Sequence, residues 1–428
     1  MSDGKAMNRW LVVLGGILIQ LCLGAIYAWS VFTPSLTKDP YNFTSSQTQW
    51  IFGLGLASFA VVMIIAGRLQ AKFRPRIVAA AGGIVLGVGY VGASFVGVSF
   101  LGHLICIGLI GGAGIGLAYV VPIAVGVKWF PDKKGMLTGL AVAGFGFGAL
   151  IWVKLAGDWG HLIVNYGVGT TFLVYGLAFA SIVLVGSVWM VNPPVGYAPA
   201  GWTAPTVKTG GANTSGAVNL NSSEMLKTPQ FYTLWSMFAA GAMAGLMVIG
   251  CIVLFGIDAL QAAGLDEEQA KARAGTAMAV FFALSNGLGR IGWGMISDKL
   301  GRKTSLFTML LLQGIVMLLF FWMGSHVATL YLGAALIGFN FGGTLALFPA
   351  ATADFFGNKT VGLNYGWVFS SFGVGGIVGP ALAGYFKDTA AGDPQAWMTP
   401  FVIAGIACLV AAVLALTLKP PSRGTVAA

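Results

Sequence analysis

Residues 285–303 read SNGLGRIGWGMISDKLGRK, and the position of Arg290 in this stretch decides how the whole chain is interpreted. The charges from Asp298 onward are typical of a solvated loop at a helix end. Arg290, in contrast, lies eight residues earlier, in a run that is otherwise apolar or small. On a helix it would therefore lie ~12 Å from that loop. A permanent cation at such a depth needs water or a binding partner.

The composition makes lipid the expected solvent of this chain. Of its 428 residues, 57% are hydrophobic and 8% are charged, whereas about a quarter are charged in a typical soluble domain. Twelve apolar stretches have roughly the 20 residues that a helix needs to cross a bilayer. They are residues 9–33, 48–67, 77–97, 101–127, 136–157, 163–191, 229–257, 272–296, 304–324, 328–352, 363–386 and 398–418. We therefore expect an all-α membrane protein with twelve transmembrane helices.

The chain is predicted to consist of two halves joined by a linker. Residues 192–228 are rich in Pro, Gly, Ser, Thr and Asn, which is typical of irregular structure. We expect residues 1–191 to form an N-terminal six-helix half, residues 192–228 a cytoplasmic linker, and residues 229–428 a C-terminal six-helix half.

The distribution of Lys and Arg predicts the orientation. If the N-terminus is cytoplasmic, seventeen of the 23 cations lie in inner segments, five lie in outer segments, and the last is Arg290. Since cytoplasmic loops carry an excess of Lys and Arg, both termini are predicted to be cytoplasmic. The net charge of +10 is thereby explained by topology, and nucleic-acid binding is not expected.

An internal repeat appears when the chain is aligned with itself at an offset of 227 residues. Three separate segments match at that one offset: GRLQAKFRPR (67–76) with GMISDKLGRK (294–303), GGAGIGLAYVVP (111–122) with GFNFGGTLALFP (338–349), and GLAVAGFGFG (139–148) with GWVFSSFGVG (366–375). Two parallel six-span repeats resemble the arrangement of major facilitator transporters, whose substrate site lies near the midplane between halves that rock about it.

One of these segments also resembles a family motif. GMISDKLGRK is similar to the major facilitator cytoplasmic loop pattern G-x-x-x-D-[RK]-x-G-[RK]-[RK], whereas the first-half copy has Ala71 at the position of Asp298. In that superfamily these charges pair with neighbouring helix ends and hold the outward-open state. The resemblance thus implies a gating role for Asp298, Lys299, Arg302 and Lys303. The alternative is that they only set the topology.

A narrower resemblance covers nearly the whole chain, except the linker and the tails. The segments that carry it are WFPDKKG (129–135), LKTPQFYTLW (226–235), SNGLGRIGWGMISDKLGR (285–302), ALFPA (346–350) and NYG (364–366). Together they resemble the oxalate/formate antiporter family and its monocarboxylate-transporting relatives.

Arg290 is the central candidate for substrate binding. No acidic residue is predicted within the inner part of any span, so a ligand anion is its expected partner. A guanidinium fits a carboxylate because its fork donates two parallel hydrogen bonds. Asn286, four residues earlier, lies on the same helical face and would give a second hydrogen bond, unless it serves helix packing. At the repeat offset Arg290 aligns with Met63, so only one half carries the cation.

Four further residues are predicted to line the cavity. The family resemblance places Tyr119 there, facing the anion, and Tyr27 in the first span is similarly placed. Phe341 and Leu345 are one helical turn apart and would form an apolar wall. For all four, ordinary core packing or contact with lipid is the alternative interpretation.

Phe372 bears on the charge of the substrate. The oxalate transporters of the resembling family carry a Lys at the position of Phe372, and this chain does not. Because burying an uncompensated second carboxylate is costly, we expect a monoanion of a few carbons, such as lactate, pyruvate, glycolate or formate.

The energy source is expected to be a gradient. The glycines of GGAGIGLA (111–118) lie within a span, where close helix packing explains them better than nucleotide binding does. Related proton symporters often have an Asp four residues before the Arg, where this chain has Asn286. Asp258 and Glu267 remain as candidates for proton coupling. The sequence favours proton-coupled symport, with anion exchange of the oxalate:formate type as the alternative.

Other classes of protein are disfavoured. A membrane enzyme would need convergent nucleophile, base or metal-ligand clusters, and a transporter-like sensor would usually add a long soluble domain. No cofactor or metal is expected, and His103, His161 and His326 are predicted to be surface groups. The expected partners are a small monocarboxylate anion, protons and the lipid bilayer. We expect a multi-pass protein of the cell (inner) membrane that functions as a monomer.

Overall fold

The computed structural model describes residues 7–130, 134–157, 159–194, 197, 199, 219–357, 361–389, 393–419 and 421. For residues 71, 127, 134–142 and 362 it describes the backbone only. Most of the predicted linker lies outside the described residues, as do both chain ends. Within the described residues the secondary structure is entirely helical.

A helix overlaps each of the twelve predicted stretches. We label the long helices α1 (Arg9–Leu23), α2 (Ser45–Lys72), α3 (Pro75–Phe95), α4 (Gly112–Trp129), α5 (Lys134–Ala156), α6 (Leu162–Ser187), α7 (Pro229–Ala262), α8 (Ala283–Leu300), α9 (Arg302–Met323), α10 (Val327–Phe356), α11 (Val361–Thr389) and α12 (Met398–Thr417). Helix α1 continues as a 3₁₀ helix, Gly24–Val31. Helix α4 is preceded by a π-helical segment, Leu104–Gly111, and helix α8 by Glu267–Thr276 and a π-helical segment, Ala277–Phe282.

Ten helices among the described residues are long and apolar enough to cross a membrane. Helix α5 is not among them, because its apolar part within those residues, Ala143–Ala156, is short. Helix α8 is not among them either, and it carries the three charges Arg290, Asp298 and Lys299 within 18 residues. Membrane crossing by these two helices stays a prediction.

The two predicted halves contact each other closely along α2 and α11. A Cβ on Gly373 would lie 2.9 Å from the Cβ of Ala60, and one on Gly376 would lie 2.7 Å from the Cβ of Leu56. Glycine at both positions lets the two helices approach nearly backbone to backbone, as small residues do at membrane helix interfaces.

Polar contacts also join the halves at the predicted outer end. The Asp388 carboxylate at the end of α11 accepts hydrogen bonds from the backbone N–H groups of Ser45 (2.8 Å) and Ser46 (2.7 Å). It thereby caps the start of α2, where a negative charge is favourable. Lys38 forms an ion pair with Glu267 across the same end. That contact holds the pKa of Glu267 below its usual value, so the pair is intact at neutral pH and is lost on acidification through the lowered pKa.

One expectation about the histidines is wrong. His103 is fully buried, its Nδ1 donates to the Ser99 carbonyl (2.9 Å), and its ring lies 5.5 Å from that of Phe43. The loop between α1 and α2, which carries Phe43, therefore covers His103 and shields it from solvent. His161 and His326 are exposed, as predicted.

Two glycines of α8 allow a matched test of its packing. A Cβ on Gly289 would lie 2.0 Å from the Phe339 carbonyl oxygen of α10, whereas one on Gly294 would meet no described atom within 4 Å. Ala in a helix interior is normally more stable than Gly by about 0.5–1 kcal/mol. Gly294→Ala should therefore keep or raise the melting temperature of the detergent-solubilised protein.

For Gly289→Ala, in contrast, we expect a lower melting temperature. The added methyl group forces the two backbones apart, a type of overpacking that costs about 1–3 kcal/mol. Equal melting temperatures for the two variants would contradict the packing of α8 on α10 described above.

Candidate functional site

Arg290 is buried on the face of α8 that points between the two halves. Arg290 is only 3% exposed, and its Nε donates a hydrogen bond to Asn286 Oδ1 at 2.9 Å. The predicted relation between the two residues, four apart on one face, is therefore realised as a direct contact. Helix α10 fixes this segment from behind, because a Cβ on Gly342 would lie 2.1 Å from the Asn286 carbonyl oxygen.

The N-terminal half supplies aromatic residues around the guanidinium. The Arg290 Cζ lies 5.9 Å from the centre of the Phe145 ring on α5, within the range of a cation–π contact. Arg290 also interacts electrostatically with Tyr27 and Tyr119. These two rings lie 5.0 Å and 5.3 Å from that of Phe145. Residues of α1, α4 and α5 thus meet the cation of α8.

The C-terminal half closes the other side with an apolar wall. The Phe341 ring lies 5.8 Å from that of Tyr27 and 6.3 Å from that of Phe372. Both phenylalanines are fully buried. Leu345 is buried one turn from Phe341, at 6% exposure, and belongs to the same hydrophobic core. The structure therefore brings Tyr27, Phe341 and Phe372 together, while Leu345 extends the wall along α10.

The polar groups of this site present hydrogen-bond donors. A guanidinium can only donate, so the oxygen atoms of the neighbouring Tyr hydroxyls face it as acceptors and their hydrogens remain for another partner. The Tyr27 hydroxyl is buried, and its hydrogen has no acceptor within the described part of the chain. Since Asn286 Oδ1 is engaged by Arg290, its Nδ2 is a donor, and this buried atom has no acceptor among the described residues. Such a set of donors is complementary to an anion.

Three residues of the site were missed by sequence reasoning. Phe145 covers the guanidinium, Tyr365 on α11 interacts electrostatically with Arg290, and Phe369 lies 5.6 Å from Tyr365 and 4.7 Å from Phe372 between ring centres. Tyr365 lies in the NYG segment (364–366) that carries the family resemblance, so its position in that segment could have indicated it as a site residue. For Phe145 the available signal was the internal repeat, which aligns it with the predicted site residue Phe372. Nothing in the local sequence distinguishes Phe369 from the other phenylalanines.

The two acidic candidates for proton coupling do not lie at this site. Asp258 near the end of α7 forms an ion pair with Lys387 and accepts a hydrogen bond from the Trp397 indole N–H at 2.7 Å. Glu267 forms the ion pair with Lys38 described above. Both carboxylates therefore form ion pairs with Lys at the predicted outer ends of the helices.

Comparison with known proteins gives the family of the chain. The sequence model of the family described as Major Facilitator Superfamily matches residues 14–270 and 258–428 of this chain. The chain belongs to the Major Facilitator Superfamily. The resemblance inferred from the loop motif and the internal repeat is thereby confirmed.

Similar proteins within this superfamily include transporters of small anions. YhjX, an uncharacterized transporter of Escherichia coli (strain K12), is 30% identical over 377 residues, covering 86% of each chain. The oxalate:formate antiporter of Oxalobacter formigenes is 28% identical over 421 residues, covering 98% of this chain and 93% of the antiporter. Apicoplast pyruvate carrier 1 of Toxoplasma gondii is 24% identical over 460 residues, covering 85% of this chain and 81% of the carrier.

A solved structure is similar to the fold. It is that of a bacterial homologue of the human lysosomal transporter Spinster, in an inward-facing and unoccupied conformation. Its TM-score is 0.67 at 16% sequence identity, covering 98% of this chain and 100% of that chain. At this identity the likeness shows the major facilitator fold alone.

The major facilitator loop motif forms a charge cluster within the C-terminal half. Arg302 at the start of α9 contacts Asp298 (3.0 Å) and Ser297 at the end of α8, and its Nε contacts Asp354 (2.8 Å) near the end of α10. One guanidinium thus joins three helix ends. Lys299 and Lys303 are exposed beside this cluster.

The two carboxylates of the cluster should contribute unequally to stability. The Asp298 side chain is 72% exposed and that of Asp354 is 29% exposed, and exposed ion pairs contribute only about 0–1 kcal/mol. We expect Asp354→Asn to lower the melting temperature of the purified protein clearly, and Asp298→Asn to change it little. The opposite order would show that Asp298, rather than Asp354, anchors Arg302.

Proposed function

We propose that the protein is a secondary active transporter of small monocarboxylate anions of the lactate and pyruvate class, and that Arg290 binds the substrate carboxylate. The observation that carries this proposal is the buried guanidinium between the two halves, surrounded by donors and aromatic rings. The similarity to an oxalate:formate antiporter and a pyruvate carrier supports the same substrate class.

The apolar wall limits the charge of the substrate that the site can bind. Phe372 is fully buried against Phe341 and Phe369, at the position where the resembling oxalate transporters carry a Lys. A second carboxylate would therefore lie against aromatic carbon, where an uncompensated charge is costly. We propose that the site accepts one negative charge.

Transport would proceed by alternating access of the two halves. We propose twelve spans with both termini in the cytoplasm, in the cell inner membrane, with a monomer as the functional unit. Opening towards the outside would break the Lys38–Glu267 pair and the cap that Asp388 provides at α2. On the opposite face, access to the site would be gated by the motif residues Asp298, Lys299, Arg302 and Lys303. Of these, Arg302 would hold the neighbouring helix ends together.

Two energy sources are compatible with this site. Proton-coupled symport is the first proposal, with Asp258 and Glu267 as the acidic candidates from the sequence. Exchange of anions is the alternative, and it is supported by the engagement of both acidic residues in ion pairs with Lys. The similarity to an antiporter supports it as well.

Uptake by the reconstituted full-length protein tests the role of Arg290. Labelled pyruvate, lactate, formate and oxalate would be offered with and without an inward proton gradient, and with unlabelled anion inside the vesicles. Losing one partner of a buried, hydrogen-bonded charge pair costs about 2–5 kcal/mol. Arg290→Ala should therefore lower monocarboxylate uptake by on the order of a hundredfold.

The control for this experiment is Met295→Ala, on the same helix but 61% exposed, which should transport like the wild type. Uptake by Arg290→Ala at the rate of the wild type would exclude the proposed carboxylate contact. Stimulation by the proton gradient without internal anion indicates symport, whereas a strict need for internal anion indicates exchange.

Phe372→Lys tests the charge of the substrate. A second cation in the apolar wall should allow a dicarboxylate to bind, so oxalate is expected to compete with labelled pyruvate in the variant and not in the wild type. Phe372→Met, an uncharged replacement, is the matched control. Competition by oxalate in the wild type, or no competition in Phe372→Lys, would contradict the single-charge proposal.

A further inference from the structure

The junction of α2 and α3, residues 68–76, carries four cations that have no acidic partner among the residues that the structure describes. Arg68, Lys72, Arg74 and Arg76 are all exposed, and none has an ion pair or side-chain hydrogen bond with any residue that the structure describes. Arg68 and Lys72 are four residues apart on one helical face, where like charges repel each other. No carboxylate among the described residues therefore compensates the positive charge of this junction.

The equivalent junction of the second half, between α8 and α9, has the carboxylates that the α2–α3 junction lacks. There Arg302 is held by the carboxylates of Asp298 and Asp354. At the repeat offset of 227 residues, these two positions correspond in the sequence to Ala71 and Val127. At the same offset Lys299 and Lys303 correspond to Lys72 and Arg76, whereas Arg302 corresponds to Pro75. The first half thus has two of the three cations of the motif and neither of the carboxylates that contact Arg302.

Two features of the α2–α3 junction suit an anionic lipid headgroup. Helix α3 begins at Pro75 without a side-chain cap, so its N-terminal dipole adds to the positive field. Apolar side chains stand beside the cations, with Phe73 at 52% and Ile77 at 55% exposure. A phosphate could contact the cations while the acyl chains pack against these apolar residues.

We infer that Arg68, Lys72, Arg74 and Arg76 form a binding site for the phosphate headgroup of an anionic phospholipid. The lipid would lie in the leaflet at the predicted cytoplasmic face, with its phosphate in place of the carboxylates that the second half has at the equivalent positions. Basic clusters next to membrane helices attract anionic lipids, by about fivefold in affinity for each cation. This inference does not depend on which substrate is carried.

The test compares the two halves at matched positions. Phosphatidylglycerol is titrated into the detergent-solubilised full-length protein, and bound lipid is counted by native mass spectrometry. Lys72→Gln/Arg76→Gln, which removes two cations, should weaken binding of the first phosphatidylglycerol by about 25-fold. Its matched control, Lys299→Gln/Lys303→Gln, removes the repeat-equivalent cations and should weaken it by less than about twofold.

A second variant keeps all the cations. Ala71→Asp introduces the carboxylate that the second half carries, and it should also weaken phosphatidylglycerol binding. Equal losses in the two double variants would overturn the inference, because they would reflect net charge alone. Equal binding of phosphatidylcholine, or displacement of the lipid by inorganic phosphate at the same concentration, would overturn it too.

Discussion

The site depends on holding one guanidinium away from water between two sets of helices. Removing an ion from water costs several kcal/mol even after relaxation. Arg290 meets this cost with a hydrogen bond to Asn286, the face of the Phe145 ring, and the nearby oxygens of Tyr27 and Tyr119. Each of these partners is neutral. They therefore solvate the cation without cancelling its charge, and the site retains its attraction for an anion.

The same arrangement links binding to conformation. Arg290 and Asn286 belong to the C-terminal half, whereas Tyr27, Tyr119 and Phe145 belong to the N-terminal half. A ligand can shift a conformational equilibrium only if it binds the states with different affinity. An anion that touches groups of both halves does so, because any motion that separates the halves removes part of its contacts.

Much of the site could be predicted because the chemistry of charged residues is local. The spacing of Asn286 and Arg290 placed them on one helical face, and the structure shows the contact. Phe369 could not be predicted, since an apolar residue in a membrane span faces either lipid or protein and the sequence does not say which. Phe145 was predictable in principle, because the repeat aligns it with Phe372. The burial of His103 depends on a distant loop that folds over it, so no local pattern revealed it. The fold was easier to predict, because ten helices within the described ranges are long and apolar enough to cross a membrane.

The two repeats have diverged in charge more than in packing, and this difference has a physical reason. Close helix contact needs small residues in both halves, and three glycines of GLAVAGFGFG (139–148) align with glycines of GWVFSSFGVG (366–375), while Gly144 aligns with another small residue, Ser371. Charges are not needed for that contact, so each half could acquire its own. The second half has Arg290 where the first has Met63, and a single cation at a pseudo-symmetric interface makes one side of the candidate site different from the other. A ligand with a carboxylate at one end and carbon at the other would therefore bind such a site in one orientation only.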